Sequence, residues 1–322
     1  MLATLGVIFL HVTGSGFHQH LNTYNWYVSV VCNGLVQCSV AIFVMISGTL
    51  FLDPYKEVTA KNLYRKSIKR LIIAYLFWYC IYALLSFVIA IISAHTLESE
   101  YKFLIPHFHL WFLPMLICVY ALVPILRIVV TRSTIISYAI LIWICYITIS
   151  FLGWEIPQIT NLFDTNIVLG YSGYFLLGYY VSTLAFKRKQ RITIYFLGLL
   201  GAIITIVGTI LYSLYNGEAD EKFHNDLSPH ILMMALGIYV FIKENSKKLE
   251  KKLIGIVEYV RKDLFGIYLI HGIWLIVLNR ALFRNCCDYF FSLPLITIII
   301  FFFSLYTTKM LRKFTLLRKV VE

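Results

Sequence analysis

Long apolar runs separated by short polar, often basic, stretches make up most of this chain. The clearest runs are Leu71 to Ile92, Leu110 to Ile125, Ile135 to Leu152, Ile192 to Leu214 and Tyr289 to Tyr306. Crossing hydrocarbon about 30 Å thick takes roughly 20 helical residues. Most of these runs are close to that length. The Ser, Thr and Gly residues inside them suit lipid, where small side chains let helices pack closely. The pattern predicts an all-α, polytopic integral membrane bundle of about ten transmembrane helices. The expected spans are 1–17, 34–52, 70–93, 110–130, 134–152, 167–186, 192–213, 229–243, 264–282 and 289–308, the eighth being short. No internal repeat and no linker long enough to set off a soluble unit interrupts this, so residues 1–322 read as a single membrane domain.

Composition agrees with a lipid-facing surface. The chain is 60% hydrophobic and 14% charged, against about 25% charged in a soluble domain. Charge then tests the helix count. The loop 53–70, Arg127, Arg132, the run Lys187–Arg191, the loop 243–263 and the tail from Lys309 fall on one side, which holds 24 of the 28 Lys and Arg residues. Only Lys102, Lys222, Arg280 and Arg284 fall on the other. Positively charged loops stay cytoplasmic, so both termini are expected inside and the helix number is even. The net charge of +12 therefore reads as orientation and contact with anionic lipid. Nucleic-acid binding is set aside.

The seven cysteines show no C-x-x-C spacing, and Cys80, Cys118 and Cys145 lie inside apolar runs, where a thiol behaves as a small hydrophobe. Neither a disulfide framework nor a zinc site follows. The first apolar segment has no basic region before it and no cleavage site after it, so no signal peptide is expected. From Met1 to Val12 it gives only about 18 Å of helix, which reads as a start inside the true first helix.

An ionisable group in a lipid-bathed helix is costly, so each one needs a reason. His11 lies at membrane depth. It reads either as a neutral imidazole bonded to a neighbouring helix or as a general base. His109 and Trp111 open the fourth span in HFHLWFLPML (107–116), where Trp is also ordinary at a membrane boundary. His271 closes FGIYLIH (265–271). The pairs His107/His109 and His18/His20 lack a carboxylate or Cys at a helpful spacing, so no metal is expected. Arg65, Lys66, Lys69 and Arg70 lead straight into LIIAYLFW. In a helix Lys66 and Arg70 share a face, which suits either lipid anchoring or a socket for a phosphorylated cofactor. By contrast, 187–191 and 243–252 read as solvated anchors. The predicted spans contain essentially no carboxylates, which weighs against a proton-coupled transporter.

Six stretches, taken in order, carry a resemblance: ATLGVIFLHV (3–12), MISGTLFL (45–52), the basic cluster with RLIIAYLFW (70–78), HLWFLPML (109–116), YFLLGYYV (174–181) and FGIYLIH (265–271). Together the chain resembles the acyltransferase 3 family, integral membrane enzymes that acylate sugars of cell-surface polysaccharides. The HLWFL stretch is similar to the branch of enterobacterial-common-antigen and capsule O-acetyltransferases. The family's first-helix Arg, eleven residues before its His, would fall one position before Met1. Its second basic motif, two Arg four apart, maps onto Lys66 and Arg70. The Lys keeps the charge but not the bidentate fork.

The resemblance implies a multi-pass protein of the bacterial cytoplasmic membrane whose partners are the bilayer, an acyl-CoA and a carbohydrate acceptor. The acyl-CoA, acetyl-CoA or another, would be a donor substrate, with no metal involved. Its phosphates would dock on Lys66, Arg70, Lys69 and Arg65, and its arm would reach His11, the catalytic base, by direct transfer or through an acyl-His. His109, Trp111, His271, Ser47 and Tyr268 are the second-rank candidates for lining the tunnel or the acceptor site. A transporter or flippase of acylated glycan or small solute is the main rival, and a membrane protein with a degenerate site is the third reading.

Overall fold

A computed structural model describes residues 1–18, 20–56, 59–93, 109–153, 165–282 and 289–322. Among these the chain is helical throughout, without a strand. The first third holds α1 (Leu2–Phe17), α2 (Tyr24–Val36), α3 (Ser39–Phe51) and, after a π-helical Leu63–Ile68, α4 (Lys69–Ser93). Next come α5 (Phe112–Ala121), α6 (Val123–Val129), α7 (Ser133–Phe151), α8 (Thr165–Thr183) and α9 (Arg188–Asn216). The rest comprises α10 (Pro229–Glu244), α11 (Ser246–Val260), α12 (Leu264–Leu282), α13 (Tyr289–Arg312) and α14 (Thr315–Val321).

Six stretches of described helix are long and apolar enough to cross a membrane: Tyr24–Phe51, Leu63–Ile89, Ser133–Phe151, Arg188–Asn216, Lys222–Glu244 and Tyr289–Arg312. The bent pair α5 and α6 makes a seventh. Leu84, Ile142 and Phe196 point outward from α4, α7 and α9, as lipid-facing side chains should.

Three departures from the sequence reading have physical causes. The second span starts at Tyr24, ten residues early, because Asn25, Ser29 and Asn33 interrupt the apolar pattern without leaving the bundle. Asn33 Nδ2 donates to Thr13 Oγ1 at 2.9 Å and to the Leu10 carbonyl at 3.2 Å, so α1 satisfies it. The span expected at 110–130 is bent by 56° between α5 and α6, where Pro124 lies in the first turn of α6 and cannot donate a backbone hydrogen bond. The basic loop 243–263 and the tail fold as α11 and α14. On α14, Val320 and Val321 are buried, and the Val320 carbonyl accepts a hydrogen bond from Trp78 Nε1 at 2.9 Å.

Cations of the basic side cap helix ends, where carbonyls are left over. Arg127 donates to the Phe51 carbonyl at 3.0 Å and to that of Lys56 at 2.9 Å. Lys243 Nζ donates to the Val181 carbonyl at 2.8 Å. Arg191 pairs with Glu244 at 3.0 Å, tying α9 to α10.

The tightest crossing is that of α3 on α8. A Cβ on Gly48 would collide with the Phe175 carbonyl, and one on Gly178 with that of Met45. Thr49 Oγ1 and the Tyr239 hydroxyl bond each other at 2.6 Å and stand 3.1 and 3.2 Å from the Gly178 carbonyl, which accepts from one of them. Gly178→Leu should therefore separate the helices and cost at least about 1–3 kcal/mol. The loss would appear as a lowered thermal midpoint in detergent. Gly255→Ala on α11, with open space around its Cα, should leave that midpoint unchanged or raise it.

Candidate functional site: a histidine cluster between two cavities

Three distant stretches bring their imidazoles together. The ring centroids of His11 on α1 and His271 on α12 are 5.4 Å apart and stacked. His109, just before α5, lies 4.8 Å from His271 and 6.3 Å from His11, edge-on to both. His109 and His271 are fully buried.

Hydrogen bonds fix this geometry. The Tyr268 hydroxyl donates to the His109 carbonyl. The Tyr82 hydroxyl donates to the Leu269 carbonyl at 2.7 Å, and His109 Nε2 stands 3.4 Å from the same oxygen. His271 Nδ1 bonds the Tyr268 carbonyl. A carbonyl only accepts, so Nδ1 carries the hydrogen and Nε2 keeps its lone pair. That Nε2 is buried with no hydrogen-bond partner among the described residues. Gly272 makes room, since a Cβ there would stand 2.6 Å from His109 Cε1 and 2.7 Å from the Tyr82 hydroxyl.

Two cavities adjoin one another here, and His11 and His109 line the smaller. The smaller, about 130 Å³, is lined by His11, His109, Trp111, Tyr268, Gln37 and Asp226 among others. The larger, about 580 Å³, is mostly apolar and carries Ser47, Arg70, Arg261 and Lys262 in its wall. Phe43, Phe112 and Tyr268 line both. Their rings pack together at 5.6 to 6.5 Å and form an aromatic partition between the two spaces.

Every second-rank candidate thus borders a cavity or the imidazole cluster. The basic residues divide differently. Arg70 lines the large cavity, its guanidinium 5.4 Å over the Phe265 ring and Nη1 donating to the Glu322 carbonyl at 3.0 Å. Arg65, Lys66 and Lys69 are exposed beside it and are not among its lining residues. The turn over Leu63–Ile68 is π-helical, with hydrogen bonds five residues apart. Arg261 and Lys262, part of the basic loop 243–263 and not singled out by the sequence, stand in the cavity wall.

Asp226 was also missed, because it was expected in an outer loop. It is half-buried, with Oδ2 accepting from the Tyr171 hydroxyl at 2.8 Å and Oδ1 from Gln37 Nε2 at 3.2 Å. The Asp226 carbonyl accepts from the Tyr174 hydroxyl at 2.6 Å. Asp263, like Asp226 outside the expected spans, is buried against Arg312. The signal for Asp226 was Gln37: an amide inside an apolar run needs a partner.

Among the described residues no group of three His, Cys, Asp or Glu is arranged to hold a metal ion. His18 pairs with Glu221 at 3.3 Å instead. His107, Cys286 and Cys287 lie outside the described residues.

A family model described as an acyltransferase domain, that of acyltransferase 3, matches residues 1–309. The chain belongs to the acyltransferase 3 family. No curated protein and no solved structure gives a significant match. Membership makes this a membrane acyltransferase, and it sorts the six stretches by what they do in the fold. In this acyltransferase ATLGVIFLHV, HLWFLPML and FGIYLIH deliver the three imidazoles. MISGTLFL and YFLLGYYV are the two faces of the Gly48–Gly178 crossing. RLIIAYLFW supplies Arg70 to the cavity and Trp78 to α14.

Tyr268→Phe removes the donor that holds the His109 backbone. The variant should lose about 0.5–1.5 kcal/mol of stability and a larger share of activity, measured as thermal midpoint and turnover side by side.

Proposed function

We propose that this membrane acyltransferase moves an acetyl or other short acyl group from acyl-CoA to a hydroxyl of a cell-surface carbohydrate or its lipid-linked precursor, with His11 as general base. The observation that carries the reading is the imidazole cluster on a small cavity that holds Gln37 and Asp226 and adjoins a larger one with Arg70, Arg261 and Lys262 in its wall. The phosphates of the donor bind at Arg70, Arg261 and Lys262, with Lys66, Lys69 and Arg65 adding charge outside. Arg forks suit phosphate oxygens. The narrow arm of the donor runs along the apolar wall and brings the thioester past Phe43, Phe112 and Tyr268 to His11.

His11 takes the proton of the acceptor hydroxyl as its oxygen attacks the thioester carbonyl. The carbon–sulfur bond breaks, and the departing thiolate recovers the proton from the imidazole. His271, stacked on His11, holds it in orientation. The chain crosses the bilayer ten times with both termini cytoplasmic. The seven apolar spans are joined by α1 and α12, which are short, and by α8, which is rich in Tyr and packed inside the bundle. The distribution of Lys and Arg supports this count.

Purified protein in nanodiscs, given radiolabelled acetyl-CoA and a glycan extract, should transfer label to carbohydrate. His11→Ala should lower the rate about 10²- to 10⁴-fold while leaving the thermal midpoint within a few degrees. Full transfer by that variant ends the catalytic assignment.

Arg70→Ala and Arg261→Ala should each weaken acetyl-CoA binding about tenfold or more, as expected for a lost charge-assisted hydrogen bond, with Lys66→Ala weaker in effect. Titration calorimetry in detergent reads this directly. A transporter of acylated solutes would consume no acyl-CoA, so the label assay separates the two classes.

A further inference from the structure

We infer that Asp226, held by Gln37 and Tyr171 and facing Trp111 across the small cavity, is an acceptor-binding residue that selects an uncharged polyol and rejects an anionic sugar. This deepens the proposed function and rests on it.

A buried carboxylate is costly unless it is paired or fully hydrogen-bonded. Asp226 is half-buried, and no Lys, Arg or His forms an ion pair with it among the described residues. Two neutral donors hold it, one on each oxygen. A carboxylate has about four acceptor sites, so roughly two remain, and the group lines the same cavity as His11. Gln37 is itself fixed, with Nε2 also donating to the His224 carbonyl at 2.5 Å. Tyr171 packs its ring 5.7 Å from that of Trp111. The carboxylate is therefore pre-set in one orientation, and the capacity it retains points to donors that arrive with a ligand.

Neighbouring hydroxyls of a sugar are such donors. One hydroxyl gives its hydrogen to Asp226 while another presents its hydrogen to His11. Trp111, 38% exposed, offers an apolar ring for the C–H face of the sugar. No Lys or Arg among the described residues lines this cavity, so a carboxylate-bearing sugar would meet like charge there. The cavity of about 130 Å³ takes an edge of a sugar ring, leaving the rest of the acceptor outside.

The test is acyl transfer from radiolabelled acetyl-CoA to methyl glucoside and, separately, to glucuronic acid, by the full chain in nanodiscs. Wild-type protein should favour the neutral sugar at least tenfold in kcat/KM. Asp226→Asn should raise KM for methyl glucoside tenfold or more and narrow the preference, with KM for acetyl-CoA unchanged. Asp226→Glu should recover part of the loss. Equal use of the two sugars by wild type overturns the inference even if Asp226→Asn fails to fold. An acceptor KM within twofold of wild type in a folded Asp226→Asn overturns it as well. Absence of transfer to any carbohydrate would instead overturn the proposed function.

Discussion

Every polar group buried inside a lipid-bathed bundle must find its partner within the protein, and that constraint organises this structure around the backbone carbonyls of α12. The oxygens of Tyr268 and Leu269 receive side-chain donors from three directions: His271 on one, Tyr82 and His109 on the other. Tyr268 in turn reaches the backbone of His109. These bonds tie α4, the start of α5 and α12 into one frame. α1 is held separately, by Asn33 of α2, and lays His11 against that frame. The imidazoles are close because the hydrogen-bonding needs of their helices have few other solutions.

The two cavities follow from charge as much as from shape. Three cations, Arg70, Arg261 and Lys262, reach the large cavity. The small cavity has a carboxylate and an amide and, among the described residues, no Lys or Arg. The proposed anionic donor and neutral acceptor would therefore be drawn to different cavities by electrostatics. Phe43, Phe112 and Tyr268 line both spaces, and in the proposed reaction an apolar border there would limit water near the thioester. That matters for a thioester, which water can hydrolyse.

Much of this was legible in the sequence where lipid and core make the same demand. The runs that became α4, α7, α9 and α13 had to be helices, and their ends were close. His11, His109 and His271 stood out because each is an expensive group in an apolar setting. Three things were hidden. The amphipathic α11 and the tail helix α14 are polar enough to read as wet loops, and only Val320 and Val321 meeting α4 make the latter part of the fold. The role of Arg261 and Lys262 depends on where α12 begins relative to Arg70, which is a tertiary fact. The bend at Pro124 was readable, but an apolar run hides it.

Asp226 is the most instructive miss, because hydropathy reasoning placed it correctly in a polar stretch and then drew the wrong consequence. It shares NGEADEKFHNDLSP with Glu218, Asp220 and Glu221, and four acids in such a stretch look interchangeable. What distinguishes Asp226 is its position three residues before Pro229, which starts α10 and turns the chain into the bundle. Glu221 remains exposed beside His18, whereas Asp226 meets Gln37, Tyr171 and the backbone partner Tyr174. Lipid excludes irregular backbone only where lipid touches it. A loop that dips into the protein interior escapes the rule and can carry a carboxylate to membrane depth without any span containing one. The absence of acids from apolar runs therefore says little about whether a membrane protein has a buried carboxylate at its site. An unexplained amide such as Gln37, on a face that must be satisfied from inside, is the better sign.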